Sequence, residues 1–289
     1  MSLGRKALAA ALAATTAFSL AACGGNDEET IKIGTTDSDQ KQWQVFKEEL
    51  DKAGIKGEVV SFNDYNIPNQ ALKDGQIDIN NFQHMKFLAE YNVGNDTNLV
   101  PVGATEIVPL ALYYKDHKSV ADVEKAGEVV IPNDSTNQGR AINVLVQAKL
   151  VTLKKDGLLT PTPADIDESK SKIKVTTVDA AQTATSYLDG KPAVVNNSFL
   201  SKAGIDPNTA IFKDDPKADE AKPYINGFVT TKENQNKEEF KKLVEIWHSK
   251  PVQDALNEES KGTSVEIKMD GPELEKILTE TQDKLKAQK

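Results

Sequence analysis

Ile31-Lys32-Ile33-Gly34 is followed by Trp43, Phe46, Leu50 and Ala53 at helical spacing, then by Gly54, then by Glu58-Val59-Val60-Ser61-Phe62. An Ile-rich run, a 3.6-residue apolar period closed by glycine, and a Val-rich run spell strand, helix, strand. The alternation continues outward. A short helix is expected around residues 69–73, a third strand at 77–79, a helix over 85–91 and a strand at 99–103. This βαβαβ order predicts a parallel-rich sheet with helices on both faces.

A second cycle starts after the apolar run 107–114. It comprises a strand at 128–131, a helix over 136–150, a strand at 173–177, a helix over 181–188, a strand at 193–195 and a further strand at 224–230. Two helices are expected to close the chain. One spans 238–250, sets Phe240, Leu243, Val244 and Trp247 on one face and stops at Pro251; the other spans 272–286 after the start signal Asp270-Gly271-Pro272. Two α/β cycles of similar size suggest two lobes, 31–107 plus 227–289 and 108–226, joined by two extended crossovers. Such a body places a ligand in the crevice at the carboxyl ends of its strands. The charged stretch 213–222, with Asp214 and Asp215, reads as a solvated surface loop.

At the N-terminus Arg5 and Lys6 precede an uncharged, Ala-rich run, 7–22, that is short for a bilayer crossing. Residues 1–22 are therefore expected to be a removable signal peptide. The run ends in Leu20-Ala21-Ala22-Cys23-Gly24, which resembles the bacterial lipobox, where the cysteine thiol receives a diacylglyceryl group and becomes the new N-terminus. Cys23 is the only cysteine among 289 residues, so it has no partner for an internal disulfide. Lipidation of Cys23, with 23–30 as a linker, places the body on the extracytoplasmic face of the cell membrane. Losing 1–22 removes Arg5, Lys6 and no acid, which takes the formal charge from −9 to −11. An acidic body of this kind is a poor partner for nucleic acid.

Catalysis has little to draw on. His84, His117 and His248 stand in unrelated contexts without metal-ligand spacing, and no G-x-S-x-G, Walker-type or H-E-x-x-H pattern occurs. No catalytic residue, metal or cofactor is assigned. Ligand capture has more support, because polar and aromatic residues gather at expected strand ends. Phe62-Asn63-Asp64-Tyr65 follows the second strand and Asn80-Asn81-Phe82-Gln83-His84 the third. Pro132-Asn133-Asp134-Ser135-Thr136-Asn137-Gln138-Gly139-Arg140 runs from a strand end into a helix start, and Asn196-Asn197-Ser198 ends another strand. Each has an ordinary alternative: core aromatics for Tyr65 and Phe82, a cap for Asn137, a solvated charge for Arg140, a turn for Asn196. Four clusters at the same ends of strands together suit a zwitterion with an apolar side chain, its carboxylate gripped by a guanidinium.

These clusters, with the run 71–84 and the later Val195-Asn196 and Pro223-Tyr224-Ile225-Asn226, closely resemble the NlpA-type lipoproteins, the methionine-binding components of bacterial ABC importers. The likeness covers nearly all the mature chain. It implies a type II periplasmic-binding-protein fold, two α/β lobes on two hinge crossovers, in a monomer that delivers methionine to permease subunits. Carried over residue by residue, Arg140 pairs with the methionine carboxylate, Asn137, Asn196 and Asn226 hydrogen-bond its polar end, and Tyr65, Phe82 and His84 wall the thioether. An aromatic pocket suits a soft, unbranched sulfur side chain. Phe87 stands where many relatives have Tyr. The loop Thr35-Thr36-Asp37-Ser38-Asp39 departs from the Pro- and His-containing loop common in the family, so no contact is assigned to it. D-methionine or a short methionine peptide is the alternative ligand, and a surface enzyme acting on amino-acid derivatives the alternative class.

Overall fold

The computed structural model describes residues 30–288; the expected signal peptide, 1–22, and Cys23 lie outside the described residues. The opening alternation forms as strands β1 (Ile31–Thr35), β2 (Gly57–Ser61), β3 (Ile79–Asn80) and β4 (Val100–Ala104), with helices α1 (Lys41–Lys52), α2 (Pro68–Lys73) and α3 (Met85–Asn95) between them. β1 pairs in parallel with β2 and β3. The third strand starts two residues later than expected. Ile33 pairs with Ile79, and Ile77 instead turns its side chain into the core. Gly34 makes this possible, because a Cβ there would sit 2.5 Å from Ile77 Cδ1.

The chain leaves the first sheet through β5 (Glu106–Ile107) and enters a second through β6 (Ala111–Tyr113). There α4 (Val120–Ala126), β7 (Glu128–Pro132), α5 (Ser135–Gln147), β8 (Lys174–Val178), α6 (Ala180–Leu188), β9 (Ala193–Val195) and β10 (Phe212–Lys213) follow. The strand order is β10-β6-β9-β7-β8, with β7 parallel to β8 and β9. The chain then returns as β11 (Gly227–Thr230), which lies antiparallel between β3 and β4. Gly227 is required at that crossing, since a Cβ would come within 2.6 Å of the Gly103 carbonyl oxygen. Each sheet carries its own core: Ile33, Phe46, Phe228 and Trp247 belong to the first, Val129, Ile131, Ile142 and Val194 to the second.

Three further findings differ from the sequence reading. Three helices close the chain instead of two: α7 (Glu238–Trp247), α8 (Lys250–Glu259) and α9 (Gly271–Ala287), with β12 (Val265–Glu266) before the last. Pro251 sits in the first turn of α8, where its missing N–H costs nothing, so it opens a helix as well as ending one. Next, 224–230 is not one strand: a 3-10 helix covers Asp219–Tyr224 before β11 begins. Ala221 and Ile225 pack with Leu274 and Leu278. Finally, Asp214 is not a solvated loop acid. Its side chain is 15% exposed and pairs with Arg140.

Candidate functional site

The carboxyl ends of β1, β3, β7 and β9 open on one cleft between the two sheets. Tyr65, Phe82, His84, Asn137, Arg140, Asn196 and Asn226 all line it. The lobes touch across its rim. Tyr65 stacks on Phe82 and meets Phe199 of the second lobe at a centroid distance of 5.3 Å. The buried Lys86 ammonium donates to the Leu159 carbonyl at 2.7 Å, and Ser135 donates to Glu90. Burial lowers the Lys86 ammonium to about 8.

The segment carrying Phe82 and His84 is fixed by amides. Asn69 Nδ2 donates to Gln83 Oε1 at 2.7 Å, and Gln83 Nε2 donates to Asn69 Oδ1 and, at 3.0 Å, to Asn80 Oδ1. His84 caps α3: its Nδ1 accepts from the Phe87 N–H at 3.1 Å. Its ring also meets Tyr224 edge-on at 5.1 Å, and the Met85 N–H donates to the Ile225 carbonyl. Burial, followed by the Arg140 charge, holds the imidazole well below its ordinary range. A neutral ring whose Nδ1 accepts carries its proton on Nε2. That Nε2 is buried, without a partner among the described residues, at the edge of the cleft.

On the facing lobe Asp134 caps α5, its Oδ1 accepting from both the backbone N–H and Nδ2 of Asn137 at 2.9 Å. Asn196 Nδ2 in turn donates to Asn137 Oδ1 at 3.0 Å, leaving Asn196 Oδ1 buried and unpartnered among the described residues. Burial pushes the Asp134 carboxyl up to about 6. Asn226 joins from the return strand, donating its N–H and Nδ2 to the Glu106 carbonyl at 2.8 and 3.1 Å.

Arg140 is more committed than a free anion clamp. Nε donates to Asp214 Oδ2 at 2.6 Å, Nη2 donates to the Val108 carbonyl at 2.9 Å, and the guanidinium carbon lies 4.1 Å from the Tyr224 ring centroid. Nη1 has no hydrogen-bond partner among the described residues.

The cleft also has an end to which the sequence reading assigned nothing. Asp37, Gln42, Trp43, Glu106 and Trp247 line it. Asp37 Oδ1 accepts from Thr35 Oγ1 at 2.5 Å and Trp43 Nε1 at 2.7 Å, and Glu106 Oε2 accepts from Trp247 Nε1 at 3.0 Å. Burial raises both carboxyls, that of Glu106 to about 7. The only available signal was the loop's departure from its family's pattern, and it named no partner. Among the described residues no group of three or more His, Cys, Asp or Glu side chains could hold a metal ion, and no helix is long and apolar enough to cross a membrane.

The family model described as NlpA lipoprotein matches residues 31–268. The D-methionine-binding lipoprotein MetQ of Escherichia coli (strain K12) is 34% identical over 267 residues, covering 90% of this chain and 97% of that protein. Protein PG110 from Staphylococcus aureus superposes with a TM-score of 0.81 at 39% identity, covering 87% of this chain and 100% of that one. The substrate binding protein of a methionine transporter from Streptococcus pneumoniae gives 0.75 at 35% identity, covering 82% of this chain and 95% of that one.

Proposed function

The chain belongs to the NlpA lipoprotein family, and from that premise we propose that it is a lipid-anchored, extracytoplasmic binding protein that captures methionine and delivers it to an ABC importer. One observation carries the reading. A single interlobe cleft joins an aromatic wall (Tyr65, Phe82, Phe87) to polar groups that still have hydrogen-bonding capacity: Arg140, His84 Nε2 and Asn196 Oδ1. The wall takes the thioether, Arg140 Nη1 and His84 Nε2 donate to the carboxylate, and Asn196 Oδ1 accepts from the ammonium. Asn137 acts by orienting Asn196, and Asn226 offers its remaining amide oxygen. A ligand that contacts Tyr65 on one lobe and Arg140 on the other favours the closed arrangement, which couples capture to hinge motion. The two lobes correspond to the two sheets, and the protein acts as a monomer.

Calorimetry tests this reading. Arg140→Ala is expected to weaken methionine binding by about tenfold to a hundredfold, the range for a lost charge-assisted hydrogen bond. Wild-type affinity in a folded variant would remove Arg140 from the site. Competition between L- and D-methionine decides the enantiomer, a question sharpened by the relative named for D-methionine. For the anchor, Cys23→Ala is expected to move the protein from the membrane fraction to the soluble one; continued membrane residence would refute lipid attachment at Cys23.

A further inference from the structure

Asp37 and Glu106 stand at the same end of the cleft without a counter-cation. Glu106 has the Thr105 hydroxyl and Trp247 Nε1 beside it, and the one charge acting on it is that of Asp37. Asp37 in turn has the acidic Asp39 beside it. Neither carboxylate forms an ion pair among the described residues, and the cleft's own cation, Arg140, is paired with Asp214. Two enclosed acids that neutral N–H and O–H groups alone support represent unfavourable electrostatics, unless something positive enters between them.

A second, independent feature points to the same missing group. Gln42 is 4% exposed and lines the cleft beside both acids. Its Nε2 donates to Gln40 Oε1 at 2.7 Å, while its Oε1 is buried with no donor among the described residues. A buried amide oxygen left without a partner costs free energy, so a donor is wanted there too. Two carboxylates supported by neutral donors alone and one unpartnered amide oxygen define a place for a group that is positive and carries several N–H bonds. An adjoining recess with room for about one water molecule shares Asp37, Gln42 and Glu106 and continues to Glu259.

We propose that Asp37, Glu106 and Gln42 form an ammonium-holding subsite that sets which ligands the cleft accepts. The proposal rests on the methionine reading and deepens it: besides the carboxylate that Arg140 and His84 grip, the ligand must present a cationic nitrogen that these three acceptors hold together with Asn196 Oδ1. That nitrogen has two sources, the α-ammonium of a free amino acid or the terminal ammonium of a short peptide reaching toward the recess.

The test titrates the full chain in detergent with L-methionine, glycyl-L-methionine, N-acetyl-L-methionine and cadaverine, as wild type, Asp37→Asn, Glu106→Gln and the double variant. Both replacements keep an oxygen for the tryptophan N–H groups, and thermal melts establish that each variant folds. Wild type is expected to prefer ammonium-bearing ligands over N-acetyl-L-methionine by about a hundredfold, and the double variant to lose about tenfold or more of that preference. Affinity for N-acetyl-L-methionine itself is expected to stay within about threefold. Tighter binding of L-methionine assigns the α-ammonium, and tighter binding of the dipeptide assigns a peptide terminus. A preference that is equal in wild type and double variant overturns the subsite. If no methionine compound binds wild type, the methionine reading fails. Cadaverine then decides the subsite: binding that the double variant loses supports it, and no binding overturns it.

Discussion

Glu106 shows how one side chain responds to its surroundings. Enclosure raises its carboxyl from 4.5 to about 7, against the hydrogen bond from Trp247 and with the help of Asp37. In the unfolded chain the same group ionises near 4.5, so between pH 4.5 and 7 the folded protein binds more protons. Stability on this account falls as pH rises through that window and is level above it. The full penalty is at most about 3 kcal/mol, reduced by water reaching the group through the cleft. Glu106→Gln removes the ionisation. Its unfolding free energy relative to wild type is expected to grow from pH 4 to pH 8 by about 1–3 kcal/mol in denaturant titrations. An offset that is constant with pH would mean the carboxyl titrates as an ordinary exposed one. None of this was legible from Glu106 in the sequence. Its enclosure depends on Trp247 and Asp37, 141 and 69 positions away.

At the scale of elements, the strand-end segment carrying Phe82 and His84 is held by an amide triad. Asn69 on α2, Asn80 on β3 and Gln83 satisfy one another, and all are at most 3% exposed. Gln83→Leu keeps the volume but strands the buried Asn69 and Asn80 amides, at about 1–3 kcal/mol. Because Gln83 itself orients its neighbours, methionine affinity is expected to fall several-fold, with the loss appearing in both chemical denaturation and calorimetry. Unchanged stability would mean that the amides find other partners. Elements of this kind were readable where apolar period and strand-end chemistry coincide, as in Ile31–Thr35, α1 and the run into His84. Pro251 was misread because proline marks a helix's first turn as readily as its end, and only packing of α8 against α1 decides between them. Asp214 was misread for a related reason. Charge in a polar stretch suggests solvent, and its burial follows from β10 pairing with β6, a contact between residues about a hundred positions apart.

Across the whole molecule, Asp214 and Arg140 bind the two crossovers to one another. Asp214 Oδ1 accepts from the Leu110 N–H at 2.9 Å, its own N–H donates to the Leu110 carbonyl, and its Oδ2 holds Arg140, which donates onward to the Val108 carbonyl. The outgoing crossover at 108–110 and the start of the returning one are thus joined through a guanidinium that lines the cleft. On the proposed reading, a ligand carboxylate at Arg140 would bear on the hinge directly, without a relay through either core. Removing Asp214 leaves Arg140, 5% exposed in its side chain, as an uncompensated enclosed charge. Asp214→Ala is therefore expected to cost about 3–5 kcal/mol of stability. Asp214→Asn keeps an acceptor for Leu110 and is expected to cost less. The two should also differ from wild type in shape: small-angle scattering without methionine is expected to show a larger radius of gyration for both. Saturating methionine should draw Asp214→Asn back to the closed dimension, because the ligand carboxylate replaces the lost charge beside Arg140. Wild-type dimensions and stability in both variants would show that the crossovers hold their geometry without this pair, and that Arg140 serves the ligand alone.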